Sequence, residues 1–360
     1  MNLGIIGRPG SGKTTLFHAL GGPVRPKAPQ SPTDEKVVAS IEVPDPRLAW
    51  LRELEQPRKY TPARIEFVDL PGLPPKDVRG KPELLASMRD CDGFVMVVRA
   101  FENDSYPYEG EAAANPLAEV NSLREEFLFE DYAVLAKRVE KLTDAQKKPS
   151  KNRERDEQER IFLQKILADV EGKGMSVRDA MAQYSESKDA VFLRSFAFLS
   201  QKPIILIVNI TEGRQDSANV KEAAAAFPTS LIVNASIEEE IASLEPADRA
   251  GFLKDFGITE PASGRLIRAA YTALGLRAFF TSGQDEVRAW TIKGGDDAVA
   301  AAGRIHSDLA RGFIRAEVTP FDALKAAGSW REAKAKNVSR LEGKEYKVED
   351  GDILNIRFAV

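Results

Sequence analysis

The segment Gly7-Arg8-Pro9-Gly10-Ser11-Gly12-Lys13-Thr14 has the residue types and the spacing to grip a chain of phosphates. It fits G-x-x-x-x-G-K-[ST], in which glycines let successive backbone N–H groups turn inward toward phosphate oxygens. Lys13 would set a point charge against the β- and γ-phosphates, and the Thr14 hydroxyl would ligate Mg²⁺. Thr15 opens the following helix, whose N-terminal end adds partial positive charge. A chance match of this kind arises in roughly one chain in a hundred of this length. Here a strand-like run, Leu3–Ile6, precedes the motif and a helix-like run, Thr15–Leu20, follows it, which argues against chance.

Two further constellations sit where such a loop needs them. Asp69-Leu70-Pro71-Gly72 closes the apolar run Ile65–Val68. An acidic residue there would partner Mg²⁺ either directly or through a bound water, and Gly72 would offer its N–H to the γ-phosphate and hinge a loop. Asp-x-x-Gly alone is a common turn, so position gives it weight. Asn209-Ile210-Thr211-Glu212 closes the run Ile204–Val208, and Asn234-Ala235-Ser236 follows the next apolar run. Translation-type GTPases carry Asn-Lys-x-Asp at that place, with the Asp forked onto guanine. With Ile210 for the Lys and the longer Glu212 for the Asp, the guanine fork is compromised and adenine becomes acceptable. An ordinary strand-end turn is the plain alternative.

These residues need a scaffold that brings strand ends together. Short runs rich in Ile and Val recur at Leu3–Ile6, Ile65–Val68, Phe94–Val98, Ile204–Val208 and Leu231–Val233. They are continuous rather than alternating, as buried parallel strands are, and helical stretches lie between several of them. An α/β doubly wound layer is expected. From Asn115 to about Lys202 the rhythm breaks. Leu128, Tyr132, Leu135, Val139 and Leu142 step by four and three, and the seam resumes at Leu163, Leu167 and Val170. Two helices joined by the basic segment Lys147–Arg155 make an antiparallel hairpin inserted in the sheet domain. That tip is either a solvated loop or a contact surface. Past Phe279, strands at Phe313–Val318, Tyr346–Val348 and Ile353–Phe358, with a helical piece at Phe321–Ala327, predict a small α+β module. Pro23–Pro32, with four prolines, reads as loop.

The bulk numbers narrow the class. A chain of 360 residues, 43% hydrophobic and 29% charged, suits a globular protein of two or three domains. The net charge of -4 carries no whole-chain field for nucleic acid, so a basic site would be local. A lone cysteine, Cys91, forms no intramolecular disulfide and fits a reducing cytosol. The N-terminal apolar stretch is too short for a signal peptide, and no run reaches the ~18 to 20 residues of a membrane span. The expectation is a soluble cytoplasmic protein.

Several longer blocks recur together in one known family. They are Val43-Pro-Asp-Pro-Arg-Leu48, Ile65–Leu73, Val98-Arg-Ala-Phe-Glu-Asn-Asp104, Phe279-Phe-Thr-Ser-Gly283, Glu286–Ile292, Gly312–Val318, Leu341–Tyr346 and Asp350-Gly-Asp-Ile353. In these the chain resembles the YchF, or Obg-like ATPase, subfamily of P-loop proteins over nearly its whole length. The resemblance implies a G domain at residues 1–118 and 200–277, a coiled-coil insertion at 119–199, and a C-terminal TGS module of ubiquitin-like β-grasp fold at 278–360. It implies binding and slow hydrolysis of ATP or GTP with Mg²⁺, and association with ribosomes. Carried over, Gly10–Thr15 hold phosphates, Thr14 and Thr33 hold Mg²⁺, and Asn209, Ile210 and Glu212 face the purine.

The departures bear on turnover. The family loop usually reads Asn-Val-Gly-Lys-Ser where this chain has Gly10-Ser-Gly-Lys-Thr14, which questions potassium activation. Pro74–Gly80 replaces a glycine-rich stretch. Leu73 follows Gly72, so no Gln there positions a water. A His that the family offers as a catalytic candidate falls on Tyr108, which can orient a water but is a poor base, with a pKa near ~10. Lys13, Gly72 and Tyr108 remain the catalytic candidates. His18 and His306 are read as packing or surface residues. The resulting expectation is a monomeric, nucleotide-switched, ribosome-associated factor and weak NTPase. Lys147, Lys148, Lys151, Arg153 and Arg155 could meet rRNA phosphates, and Arg331, Lys334 and Lys336 form a second candidate patch. The rival is a nucleotide-binding interaction module without physiological turnover. A P-loop small-molecule kinase would need an arginine-rich lid, and no segment reads that way.

Overall fold

The computed structural model describes residues 1–21, 37–73, 82–107, 115–147 and 152–359. The Pro-rich segment Pro23–Pro32, the Pro74–Gly80 stretch and the centre of the hairpin tip lie outside them. In chain order the elements begin β1 (Asn2–Ile6), α1 (Lys13–Gly21), β2 (Val37–Glu42), α2 (Pro46–Glu55), β3 (Lys59–Thr61) and β4 (Arg64–Asp69). There follow α3 (Pro82–Asp90), β5 (Gly93–Arg99), α4 (Pro116–Ala145), α5 (Arg153–Lys173), α6 (Val177–Ala182) and β6 (Ile204–Asn209). Next come α7 (Ala218–Ala224), β7 (Ser230–Val233), α8 (Ala235–Ser243), α9 (Pro246–Asp255) and α10 (Ala262–Ala273). The last stretch holds β8 (Leu276–Thr281), β9 (Glu286–Lys293), α11 (Ala298–Ile305), α12 (Ser307–Arg311) and β10 (Phe313–Pro320). It closes with α13 (Phe321–Ala327), α14 (Trp330–Ala335), β11 (Arg340–Glu342) and β12 (Asp352–Phe358).

The chain forms two compact units, Met1–Val38 with Phe67–Leu244, and Ala39–Glu66 with Glu245–Val360. The strands carrying the site belong to a sheet ordered β2-β4-β1-β5-β6-β7, in which β1, β5, β6 and β7 pair in parallel. All five runs expected as strands lie in it. Every residue of β5 is buried, as a central parallel strand covered on both faces requires. Phe94, Met96 and Val98 of β5 and Leu206 and Val208 of β6 pack with Leu84 and Met88 of α3, Val120 and Phe127 of α4, and Val220 of α7. On α1, Leu16, Phe17 and Leu20 are buried, and α1 lies beside α8.

The hairpin forms as its seam predicts. Asn115 caps α4 by accepting the Ala118 N–H at 3.1 Å, Pro116 occupies the first turn, and Gly174 ends α5 in the left-handed region at φ 60°. Leu135, Leu142, Leu163, Ile166 and Val170 are buried between α4 and α5, with Tyr132, Val139 and Leu167 packed against them. Arg138 pairs with Glu159 through two hydrogen bonds of 2.7 Å. Where the chain returns to the sheet, the buried carboxylate of Asp131 accepts the N–H groups of Leu199 at 2.9 Å and Ser200 at 2.7 Å.

The second unit has a sheet ordered β11-β10-β12-β8-β9-β3. β8 and β9 are antiparallel, β12 runs parallel to β8 and antiparallel to β10, so β8 to β12 have the β-grasp arrangement. Successive residues of β8 face opposite sides: Phe280 packs with Leu48 and Leu51 of α2, and Phe279 packs with Ala298 and Ala302 of α11. Tyr346–Val348, expected as a strand, is not one. Its backbone closes onto the start of α11 instead, with Ala298 N–H donating to the Tyr346 carbonyl and Val348 N–H to that of Asp296, leaving a single bridge at Lys347. The β8–β9 hairpin was not expected, because its residues mix aromatic, charged and small types without a clear period. Among the described residues no helix is long and apolar enough to cross a membrane.

Replacing Asp131 with Ala strands two buried N–H groups, and denaturant titration should show a loss of about 2–4 kcal/mol. Asp131→Asn, which keeps one acceptor, should lose visibly less.

Candidate functional site

The ends of β1, β5, β6 and β7 meet at one edge of the sheet, the edge at which parallel sheets place their ligands. Residues 7–12 follow β1, Phe101–Asn103 follow β5, Asn209 ends β6 and Asn234–Ser236 follow β7. The end of β4 is fastened beside them: Leu70 N–H donates to the Ile5 carbonyl at 3.3 Å, and Leu73 N–H to the Gly7 carbonyl at 3.0 Å. Thus, of the residues singled out for phosphate and Mg²⁺, those after β1 and at the end of β4 stand side by side, with Thr14 hydrogen-bonded to Asp69.

Two glycines in the loop have no substitute. At Gly7, φ is 151° and a Cβ would stand 2.2 Å from the Val97 carbonyl oxygen. At Gly12, φ is 91° and a Cβ would stand 2.2 Å from the Asn209 amide nitrogen. That close approach is functional packing. Asn209 is 4% exposed, donates to the Ser11 carbonyl at 2.9 Å and accepts the Ala235 N–H at 3.0 Å, so it ties the loop after β1 to the loop after β7. Asn234 in turn accepts the Ile237 N–H and caps α8.

Lys13 is 7% exposed and donates to the Arg8 carbonyl at 2.8 Å. Burial pulls its pKa down to about 8 against the pull of Asp69 and Glu119, whose charges favour the ammonium. Thr14 Oγ1 donates to Asp69 Oδ2 at 2.9 Å. Asp69 Oδ1 is buried with no hydrogen-bond partner among the described residues, and burial raises the carboxyl's pKa against the Thr14 hydrogen bond and the charges of Lys13 and His18. A hydroxyl and a carboxylate side by side, one oxygen unused, suit a hard divalent cation such as Mg²⁺. No group of three His, Cys, Asp or Glu side chains that could hold a metal occurs among the described residues. A cation here would therefore complete its shell with phosphate and water oxygens, which is how Mg²⁺ accompanies nucleotides.

A cleft of about 360 Å³ opens at this edge, lined by Gly10, Gly12, Lys13, Thr14, Thr15, Phe101, Asn103, Asn209 and Ser236. Ala235 is buried beneath it, and Pro9 backs it by packing against Gly72, where a Cβ would approach to 3.0 Å. Two expected residues stand elsewhere. Ile210, expected to face the purine, is 7% exposed in the apolar cluster with Val208 and Val220: it follows β6 directly, its N–H donating to the Val233 carbonyl at 2.9 Å, and its side chain continues the face of Leu206 and Val208. Arg8 contributes its backbone to the loop, while its guanidinium runs to α4 and hydrogen-bonds Ser122 and Glu126. Glu212 is exposed beyond the end of β6. Thr33, Tyr108, Lys148 and Lys151 lie outside the described residues. Lys147 is exposed and paired with Asp144 at 2.8 Å, and Arg153 and Arg155 are exposed on the first turn of α5. His18 meets Glu239 of α8 at 2.9 Å, and His306 caps α12, both structural roles. Phe101 and Asn103 were missed as cleft residues, though their place after the β5 run was a usable signal. Tyr106 lies against Gly10.

Comparisons with known proteins agree with this geometry. The family model of the 50S ribosome-binding GTPase matches residues 2–136, and the YchF GTPase C-terminal model, described as a protein of unknown function, matches residues 276–359. The chain is 35% identical to the ribosome-binding ATPase YchF of Bacillus subtilis over 100% of both chains, and 35% identical to that of Escherichia coli O157:H7 over 99% of both. The structure of the Schizosaccharomyces pombe YchF GTPase superposes with a TM-score of 0.79 at 24% identity, covering 99% of this chain and 97% of that one. A GTP binding protein from Pyrococcus horikoshii gives 0.62 at 18% identity, covering 100% of both.

The depressed pKa of Lys13 has a measurable consequence. Anionic phosphate raises it again on binding, so the bound state holds more protons than the free state above pH about 8. Affinity for a nucleotide should fall as pH rises through that value. Calorimetry at pH about 8.5 in buffers of different ionisation enthalpy should register proton uptake, and Lys13→Met should abolish it.

Proposed function

We propose that this chain, which belongs to the YchF family, binds a purine nucleoside triphosphate with Mg²⁺, hydrolyses it slowly, and acts as a cytosolic, monomeric, ribosome-associated factor. In this reading residues 1–118 and 200–277 form the G domain, 119–199 the helical insertion and 278–360 the TGS domain. The supporting observation is the buried ammonium of Lys13 facing Thr14 and Asp69 at the floor of a cleft whose walls are held by Asn209. A triphosphate tail gives the Lys13 ammonium, whose hydrogen-bond partner is the Arg8 carbonyl, anionic oxygens to bind. Backbone N–H groups of residues 10–15 and the N-terminal end of α1 receive its oxygens. Thr14 and Asp69, with Thr33, would hold Mg²⁺, which neutralises phosphate charge. Phe101 at the cleft wall offers a flat apolar surface to the base, and Ser236 a hydroxyl. The printed names of relatives include ribosome-binding ATPase and 50S ribosome-binding GTPase, which supports both the nucleotide and the ribosome as partners.

Slow turnover follows from what stands where a water would be oriented. Leu73, directly after Gly72, is fully buried and apolar, so it offers an attacking water no hydrogen bond. Gly72 can contribute a backbone N–H but no base. A partner that adds the missing group would raise the rate, and the ribosome is the candidate. The hairpin tip, with Lys147, Lys148, Lys151, Arg153 and Arg155, is the proposed contact for rRNA phosphates.

Radiolabelled ATP and GTP hydrolysis, with and without ribosomal subunits, tests the proposal. Ribosomes should stimulate the wild-type protein, and Lys13→Ala should lower the stimulated rate by about 10²-fold or more. Equal rates for the two proteins would leave a binding module without turnover. Base preference is a separate test. Because Ile210 is core, only Glu212 can be exchanged without burying a charge, and Glu212→Asp should shift the ratio of affinities toward GTP in a competition titration.

A further inference from the structure

The side chain of Arg8 joins three elements at once. Its Nη1 donates to the Leu73 carbonyl and to Glu126 Oε2, each at 3.2 Å, and its Nη2 donates to Ser122 Oγ at 2.7 Å and to Glu126 Oε1. The planar fork of a guanidinium on a carboxylate is a directional contact, and this one is only 11% and 18% exposed at its two side chains. Glu119, on the same face of α4 one turn earlier, is 9% exposed and hydrogen-bonds backbone groups of Arg8 and Arg99. Glu119, Ser122 and Glu126 are spaced by three and four residues, the spacing that aligns side chains along one helix face. The hairpin's first helix therefore grips the phosphate loop by its backbone and by the Arg8 side chain, and the same guanidinium holds the carbonyl that follows Gly72.

We infer that Arg8 is a positioning residue that couples the phosphate site to the helical hairpin through Glu126 and Ser122 of α4. Occupation of the loop by phosphate, which engages the backbone of residues 8–15 and the segment Asp69–Leu73, changes the restraint on α4. A load seated on the hairpin changes nucleotide affinity by the same factor, since coupling between two sites is reciprocal. The inference rests on the nucleotide-binding reading and adds to it the route by which the hairpin senses the site. The linkage is contiguous, part-buried and made of charge-assisted hydrogen bonds, so a shift of either end is felt at the other through Arg8.

Hydrogen exchange of the full chain, with and without a non-hydrolysable ATP analogue and Mg²⁺, reads this directly. In the wild-type protein the nucleotide should slow exchange in residues 116–130 by about fivefold or more. Glu126→Gln and the milder Ser122→Ala, checked for folding by circular dichroism, should still bind a fluorescent nucleotide. Their α4 response should be at least about twofold smaller than that of the wild type. An unchanged α4 response in both variants overturns the inference, as does a wild-type protein that binds nucleotide with no change in α4. No binding by the wild-type protein overturns it together with the proposed function, and the titration separates that failure from a loss of coupling alone.

Discussion

An ammonium group buried under its own loop is the constraint around which this site is built. Lys13 sits almost out of water, with a loop carbonyl as its hydrogen-bond partner and carboxylates of Asp69 and Glu119 near enough to favour its charge. An unpaired charge in that position would be expelled or neutralised. The chain keeps it by surrounding it with fixed dipoles and with two acids that are themselves destabilised by burial, Glu119 being pushed up to about 7. The result is one cation and two acids held together at the floor of the cleft, each shifted by burial. A phosphate tail would give the Lys13 ammonium an anionic partner in place of the Arg8 carbonyl, before any base is recognised.

Keeping such a loop shaped requires contacts that leave no slack. Gly7 and Gly12 admit no side chain because backbone and amide groups from β5 and β6 stand within 2.2 Å of where a Cβ would be. Asn209 spends both ends of its amide on neighbouring loops. This Asn was expected to face the purine, yet its hydrogen bonds here are to the protein itself. It holds the phosphate loop against the loop after β7, which leaves an exposed Glu212 and the cleft wall of Phe101 and Ser236 as the groups we propose for the base.

Legibility in the sequence followed the range of the physics. The phosphate loop, Asp69 and the buried strands are local: a few residues fix the backbone, and runs such as Phe94–Val98 announce burial without knowledge of neighbours. The hairpin was legible for the same reason, since Leu135, Leu142, Leu163 and Val170 keep a helical period. What was not legible depends on partners distant in the chain. Ile210 reads as part of a recognition motif and lies in the core, because the direction of one side chain depends on the pleat of β6 and the helices packed on it. Tyr346–Val348 has strand-like residues, but the start of α11 takes its hydrogen bonds. Glu119, Ser122 and Glu126 look like the solvated face of a helix until Arg8 is placed opposite them. The gathering of Ala39–Glu66 with the C-terminal stretch is likewise a matter of long-range packing of Leu48 and Leu51 onto Phe280.

The contacts that shape the phosphate loop also bear on the slow turnover we propose. Leu73 is pinned twice to the phosphate loop, by its N–H to Gly7 and by its carbonyl to Arg8, and its side chain is wholly in the core. Drawing it out to admit a water-orienting group would expose a leucine, at a cost of about 2–3 kcal/mol, and would break both hydrogen bonds. Phosphate binding needs none of that movement, because the loop is already formed around Lys13. A partner that activates the site must therefore either insert its own polar group beside Gly72 or supply the energy that frees Leu73. The second route passes through Arg8, whose guanidinium holds the Leu73 carbonyl with one nitrogen and α4 with both. A force applied to the hairpin would thus act on the Asp69–Leu73 segment, which in the function we propose sets the rate of hydrolysis, while Lys13 stays where it is.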